Sequence, residues 1–275
     1  GNGHTVNGIY YEKEPQKEYT DYYGGVGLFS KVENLTVKNL AVDNSYIHQE
    51  ASVSAFVAST VAEGSFKIDS CYVGEKVYLK AATAGALTAY AYKAVNSSIT
   101  NCYSLATLDG VNYSGLSAFN WFNSSTLVIK NCYNAKGAIS SHGDTSLSGV
   151  IENTYETATS AFSEGNTLRT DANMKGADVF TSSSKMPGLN ADDAFVATAS
   201  YPTLKVFNTP SDGSGEGATV EIWDGTTKTV PKANKGGIYE IGTAAELAWV
   251  VDNDGVIDDQ ARSFWVTVEG KDLKP

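Results

Sequence analysis

One five-residue pattern recurs about every thirty residues through the first half of this chain, and it restricts the fold more than any other feature. Ile99-Thr100-Asn101-Cys102-Tyr103 is followed thirty residues on by Ile129-Lys130-Asn131-Cys132-Tyr133. Thirty-one residues earlier stands Ile68-Asp69-Ser70-Cys71-Tyr72, and a further 31 back stands Val37-Lys38-Asn39-Leu40-Ala41. A shorter step of 22 forward reaches Ile151-Glu152-Asn153-Thr154-Tyr155. The template is β-branched, polar, Asn or Ser, small or apolar, then usually Tyr. A second pattern travels with it: Val26-Gly27-Leu28-Phe29, Val53-Ser54-Ala55-Phe56, Leu87-Thr88-Ala89-Tyr90 and Leu116-Ser117-Ala118-Phe119.

A fixed period of this size means stacked units, so the unit has to be identified. Helical repeats would place apolar residues at i, i+3, i+4 and i+7. Here they alternate over short runs, as in Leu35-Thr36-Val37, or cluster briefly, as in Leu127-Val128-Ile129. Asn, Ser and Gly punctuate every copy, and leucine-rich repeats need a denser Leu pattern. One period at about 3.3 Å per residue gives roughly 100 Å of contour, enough for three strands and three bends. The 26 glycines and 16 tyrosines also favour turns and strands. The expected fold is all-β: a right-handed parallel β-helix of about five to six coils, with a small α+β capping segment at the C-terminus.

Stacking gives each template position a meaning. Equivalent residues of successive coils lie about 4.8 Å apart and form ladders. The Leu40, Cys71, Cys102, Cys132, Thr154 column should point inward. The Asn39, Ser70, Asn101, Asn131, Asn153 column should sit at a bend, where Asn tolerates unusual backbone angles and its amide can bond along the stack. The Tyr72, Tyr103, Tyr133, Tyr155 column then faces outward by alternation. The three cysteines, spaced 31 and 30 apart, match no metal-binding spacing. They read as buried thiols in a core, with a disulfide between neighbouring coils as the alternative.

Residues 156–207 lose the repeat and read as a C-terminal cap closing the β-helix of residues 1–207, because a last coil exposes unpaired backbone. Residues 208–218 are rich in Gly, Ser and Pro and read as a flexible linker. Residues 219–275 read as a separate small unit. It has a hairpin signal at Asp224-Gly225, a capping box at Thr243-Ala244-Ala245-Glu246 before Leu247-Ala248-Trp249-Val250-Val251, and a strand at Phe264-Trp265-Val266-Thr267-Val268.

Three segments resemble bacterial surface proteins with GLUG-type β-helix repeats: Val26-Gly27-Leu28-Phe29, the Asn-Cys-Tyr copies, and Gly1-Asn2-Gly3-His4-Thr5-Val6. Ile238-Tyr239-Glu240-Ile241 followed by Thr243–Ala248 looks like the segment that opens such modules. Later copies depart from the pattern, with Ser-Ala-Phe and Thr-Ala-Tyr where Gly-Leu-Phe is expected. The resemblance implies a cell-surface or secreted bacterial protein with an adhesive role, and it carries over no catalytic residues. In such proteins the helix and final strand precede the Gly-Asn-Gly-His segment, so this chain reads as one period of a tandem array cut out of phase. Residues 219–275 would then cover the first coil of a β-helix, their own or a neighbour's, giving end-to-end contacts between modules. Gly1-Asn2-Gly3-His4 reads as a mature fragment and leaves targeting open.

Composition excludes several roles. Net charge is −11 with a pI near 4.7, which argues against nucleic acid and anionic membranes. No stretch approaches eighteen apolar residues, so membrane insertion is not expected. A polysaccharide lyase or hydrolase remains the enzymatic alternative. It would need a base, cations facing an acidic substrate, or paired carboxylates. Arg169 and Arg262 both lie outside the repeats, and the column of Lys38, Asp69, Thr100, Lys130 and Glu152 is not an acidic one. His4, His48 and His142 are isolated. Asp252-Asn253-Asp254-Gly255 resembles a calcium loop but has Val250 and Ala261 where an EF-hand needs acids, so it reads as a solvated loop. Asn34, Asn96, Asn112 and Asn123 begin glycosylation sequons that also serve as turn chemistry. No cofactor or metal is expected. The best ligand-binding candidates are Tyr72, Tyr103, Tyr133 and Tyr155, whose outward rings could stack on a carbohydrate or anchor a host or surface protein. Shielding of the coil face, or a purely structural spacer role in an array, is the competing reading.

Overall fold

The computed structural model describes residues 1–12, 25–121, 127–143, 150–158, 165–208, 226–230, 239–240, 245–246, 249 and 264–265. The chain divides into two compact units, Thr5–Asn208 and a unit of Gly1–His4 with Thr209–Pro275. In the latter, Tyr239–Glu240 pairs in parallel with Phe264–Trp265. The Asp224-Gly225 turn, most of the segment 219–275 and the Asp252–Asp259 loop lie outside the described residues.

Thr5–Asn208 is a β-solenoid with almost no helix. Strands one period apart pair in parallel and in register. Val37 pairs with Ile68, Ile68 with Ile99, Ile99 with Ile129, and Ile129 with Ile151. Ala41 pairs with Tyr72, and the tyrosines continue through Tyr103 and Tyr133 to Tyr155. These rows are the template copies aligned from sequence.

The Asn position explains how the template turns a corner. In a plain strand, residues three apart point to opposite faces. Yet Ile68 and Cys71, Ile99 and Cys102, and Ile129 and Cys132 are all buried in one core. The residue between them bends the chain. Asn39, Ser70, Asn101, Asn131 and Asn153 have φ of 55°, 53°, 52°, 52° and 53°. Asn tolerates this left-handed conformation better than other residues with a Cβ. Its amide also links coils: Asn153 Nδ2 donates to Asn131 Oδ1 at 3.1 Å, and Asn131 Nδ2 to Asn101 Oδ1 at 3.1 Å. Asn101 Nδ2 donates to Asp69 Oδ1 at 3.0 Å, beside Thr100 Oγ1 at 3.0 Å. Lys38 pairs with the same carboxyl at 2.9 Å. Burial alone would raise the Asp69 pKa, but the donors Lys38, Asn101 and Thr100 hold it below the usual value.

The Leu40, Cys71, Cys102, Cys132, Thr154 column points inward and is buried throughout. All three cysteines are free thiols, so no disulfide joins the coils. Each thiol donates to the carbonyl two residues back, at 3.2, 2.9 and 3.1 Å for Cys71, Cys102 and Cys132. Burial pushes the Cys71 and Cys102 thiols well above their ordinary pKa, so both stay protonated and inert.

The second sequence pattern is shifted in the structure. Val26 pairs with Val53 as expected, but Val53 pairs with Ala84, not Leu87. Thr88 pairs with Val57 and with Ser117, which puts Phe56, Leu87 and Leu116 at equivalent positions. Ser54 pairs with Gly85 and Val57 with Thr88 at one constant offset, so Ala84-Gly85-Ala86-Leu87 is the true counterpart of Val53-Ser54-Ala55-Phe56. One rung on, the register against Thr107–Trp121 shifts between Gly85 and Thr88, where a Cβ on Gly85 would meet the Thr88 carbonyl oxygen at 1.9 Å. Only glycine passes that corner.

The short 22-residue step also has a structural cause. The strand Thr107–Trp121 runs beside Tyr78–Tyr92 for most of its length. The next coil takes a shorter path. After Asn134 it turns, and Ala138 and Ile139 accept from Leu116 and Ser117 at 3.1 and 2.9 Å. Among the described residues, that coil has no counterpart of Thr107, Leu108 and Asp109. The solenoid narrows there. Ile139 N–H meets a side chain where a further carbonyl would lie: Glu156 Oε2 accepts it at 2.8 Å. Glu156 is buried, and that burial raises its pKa, with the Ile139 bond opposing.

Candidate functional site

The predicted tyrosine column is the natural first candidate. Its rings stack, Tyr72 on Tyr103 and Tyr103 on Tyr133, each at 4.9 Å and nearly parallel. They lie outside the inner core, as alternation requires, but that face is covered. Met174, Val179, Met186, Leu189, Phe195 and Leu204 form a second apolar cluster with Tyr103, Tyr133 and Tyr155. Tyr133 OH donates to the Pro202 carbonyl at 2.6 Å, and Tyr155 OH accepts from Gly188 N at 3.0 Å. The Phe207 ring meets Tyr72 edge-on at 4.8 Å, and the Arg169 guanidinium lies 5.6 Å from the centre of the Tyr155 ring. Burial drives the Tyr103 and Tyr133 hydroxyl pKa upward.

The expectation of an open aromatic row at Tyr72, Tyr103, Tyr133 and Tyr155 therefore needs correcting. Only Tyr72 keeps partial exposure, and the other three are closed to a ligand by residues of the same chain. The covering segment also reads the Asn ladder. Asp192 Oδ2 accepts from Asn131 Nδ2 at 2.8 Å, and a Cβ on Gly188 would collide with the Asn153 side chain. Sequence reasoning placed this segment at the solenoid end because its apolar residues carry no period that would reveal their partners.

A second tyrosine row lies open. Tyr10 pairs with Tyr46, Tyr46 with Tyr78, and Tyr78 with Thr107. The next positions, Tyr11, Ile47, Leu79 and Leu108, face the core. The positions after those, Glu12, His48, Lys80 and Asp109, return to the surface in register. The ring centres of Tyr10 and Tyr46 are 5.5 Å apart and those of Tyr46 and Tyr78 5.6 Å, with interplanar angles of 20° and 5°. Tyr10 is 71% exposed, and Tyr46 and Tyr78 are half-buried.

Charged side chains frame the row. Tyr10 OH donates to Glu12 Oε2 at 2.6 Å, and Tyr78 OH to Asp109 Oδ2 at 2.8 Å. These bonds raise the Tyr10 and Tyr78 pKa, and the Tyr10 bond lowers that of Glu12. The Tyr46 pKa rises through burial first and then through the Glu12 charge. His48 sits edge-on to Tyr46 at 6.3 Å, with Nδ1 3.7 Å from Glu12 Oε1. The strip thus offers three rings flanked by two carboxylates, an imidazole and an ammonium group. Glu12 and Asp109 stand three rungs apart, roughly 14 Å, beyond the range over which two carboxylates face one glycosidic bond.

No protein-family model, curated protein or solved structure matches this chain. The site is therefore read from its own chemistry. Among the described residues, no group of three His, Cys, Asp or Glu side chains is placed to hold a metal, and no helix is long and apolar enough to cross a membrane. The Arg169 guanidinium is spent on the carbonyls of Leu168, Ser183 and Lys185. The Tyr10 row escaped sequence reasoning because its spacing runs 36, 32 and 29 and its flanks change from Glu to His to Lys to Asp. The alternation Tyr-Tyr-Glu, Tyr-Ile-His, Tyr-Leu-Lys was the available signal.

Proposed function

We propose that this chain is a non-catalytic, secreted or cell-surface β-helix module with an adhesin-like role, and that it binds carbohydrate along the Tyr10, Tyr46, Tyr78 strip. The observation that carries this reading is the strip itself: aromatic rings in a straight row, accessible to solvent and framed by polar groups. The stacked rings turn edges and hydroxyls outward, and with Glu12, His48, Lys80 and Asp109 beside them they offer the donors and acceptors that sugar hydroxyls require. We read the solenoid as right-handed with about five to six coils, because parallel crossovers are overwhelmingly right-handed and the ladders run from Val37 to Ile151. We read Asn166–Leu168 as the last rung, closing the end beyond Thr154–Glu156, and residues 174–204 as a side cover of the tyrosine column; the GLUG-type resemblance supports a surface location.

A glycan array probed with residues 1–275 tests the function. Binding that disappears in Tyr46→Ala, with thermal stability retained, supports it. An array with no signal for the wild-type chain overturns it. A structural spacer in a tandem array is the second reading. It is favoured by the Tyr103, Tyr133, Tyr155 column, whose aromatic surface is committed to packing within the chain. A catalytic role as a polysaccharide lyase or hydrolase finds less support, given the separation of Glu12 from Asp109.

A further inference from the structure

We infer that the open edge of the strand Thr107–Trp121, over residues 107–110, takes a strand from another protein: an extended peptide running parallel to it, with an apolar residue followed directly by Lys or Arg. This does not depend on the carbohydrate reading of the tyrosine strip. It starts from the narrowing after Asn134. One side of Thr107–Trp121 is paired with Tyr78–Tyr92. The other side is paired, among the described residues, only from Leu116 onward, by Ala138, Ile139 and His142–Gly143. Thr107 N–H donates to the Val77 carbonyl at 2.9 Å, toward the preceding coil. Backbone groups alternate sides along a strand, so Leu108 and Gly110 turn their N–H and C=O groups to the open side. Such an edge is a template for strand addition unless charge, proline or a cover guards it. Here Thr107, Asp109 and Val111 are exposed, Val111 at 78%.

The rows of the solenoid dictate what a further rung must carry. Tyr11, Ile47, Leu79 and Leu108 face the core in register, and Leu108 ends that row only partly buried. An apolar residue above Leu108 completes its burial. The outward row beside it runs Glu12, His48, Lys80 and ends on the exposed Asp109 carboxylate. Adjacent rungs already form ion pairs at one outward position elsewhere in this molecule, Lys38 with Asp69 at 2.9 Å and Lys130 with Glu152 at 2.8 Å. Lys or Arg above Asp109 has the same geometry, and the net charge of −11 favours a cationic partner. The next row, Ala81 and Gly110, asks for a small residue. A second copy offering its own first rung, Tyr10-Tyr11-Glu12, would set Glu12 beside Asp109, so charge selects a different chain.

The experiment titrates residues 1–275 with the blocked peptide Gly-Thr-Leu-Lys-Ala-Gly and follows backbone amides by NMR. Shifts should saturate and centre on Thr107–Val111. Glu in place of the peptide's Lys should weaken binding at least about fivefold, and Asp109→Lys should reverse that preference. In the parallel register the Leu108 carbonyl accepts from the N–H of the peptide's Lys, while the N–H of its Leu faces away. N-methylation at Lys should therefore cost at least about fivefold in affinity, and N-methylation at Leu less than about twofold. Lys67→Ala, on a different row, should bind as wild type.

Absence of shifts at about 5 mM peptide overturns the edge as a docking site. Equal losses from the two N-methylated peptides overturn strand pairing and leave only charge attraction. Tighter binding of the reversed peptide Gly-Ala-Lys-Leu-Thr-Gly overturns the parallel register. Self-association of the free chain in sedimentation, abolished by Asp109→Lys, overturns the foreign partner and assigns the edge to a second copy.

Discussion

At the scale of single residues, the Asn ladder shows how one side chain can solve two problems. Asn101 holds a left-handed bend, bonds Asp69, and receives a bond from Asn131. The two roles can be separated by substitution. Asn101→Gly keeps the bend and loses the bonds, which should cost about 1–2 kcal/mol in urea unfolding. Asn101→Ala loses the bonds and strains the bend, adding about 1–2 kcal/mol. Equal stability of the two variants would show that the backbone conformation carries no weight. Glu156 is a different case. Burial makes the folded state hold its proton more tightly than the unfolded chain does. Its contribution is full below the ordinary glutamate pKa and is lost as pH rises through the folded value. Glu156→Gln keeps an acceptor for Ile139 N–H and has no proton to lose. Its melting temperature should match wild type near pH 4 and exceed it by about 2–4 °C near pH 8. A constant difference across that range would contradict the assignment.

At the scale of elements, the covering segment and the tyrosine column form one packing unit. Tyr133 is its keystone, fully buried and bonded to Pro202. Tyr133→Phe leaves the Pro202 carbonyl unpaired and should cost about 1–2 kcal/mol. Tyr133→Ala opens a cavity and should cost about 3–5 kcal/mol. Limited proteolysis should then cut within residues 175–200 faster than in wild type. If cleavage is unchanged, the segment is held by something other than this column. The same elements mark the limit of what the sequence discloses. Val37, Ile68, Ile99, Ile129 and Ile151 could be aligned because stacking repeats one environment at a near-constant interval. The docking of Met174, Met186 and Leu189 could not, since a face covered once leaves no echo along the chain. The Tyr10 row was half-legible. Its alternation is written in the sequence, but unequal coil lengths put its members out of step, and only the pairing realigned them.

At the scale of the whole molecule, a solenoid is close to one-dimensional, and each coil is held by its neighbours. Amide protection should therefore peak at the inner rungs, at Ile68 and Ile99, and fall toward Val37 at one end and Ile151 at the other. Native-state hydrogen exchange measures this gradient, and uniform protection along the row would argue for global cooperativity instead.

The narrowing after Asn134 has a consequence for anyone who would lengthen this rod. The broad cross-section ends with Thr107–Trp121, and the shorter turn of residues 135–143 closes over only part of it. A duplicated coil appended after Tyr155 would have no seat of matching outline. One inserted between Cys71 and Cys102, copying residues 72–102, would find the same profile above and below. Growth by duplication is therefore permitted in the interior and blocked at that end, so the taper acts as a terminus written into the shape of the backbone.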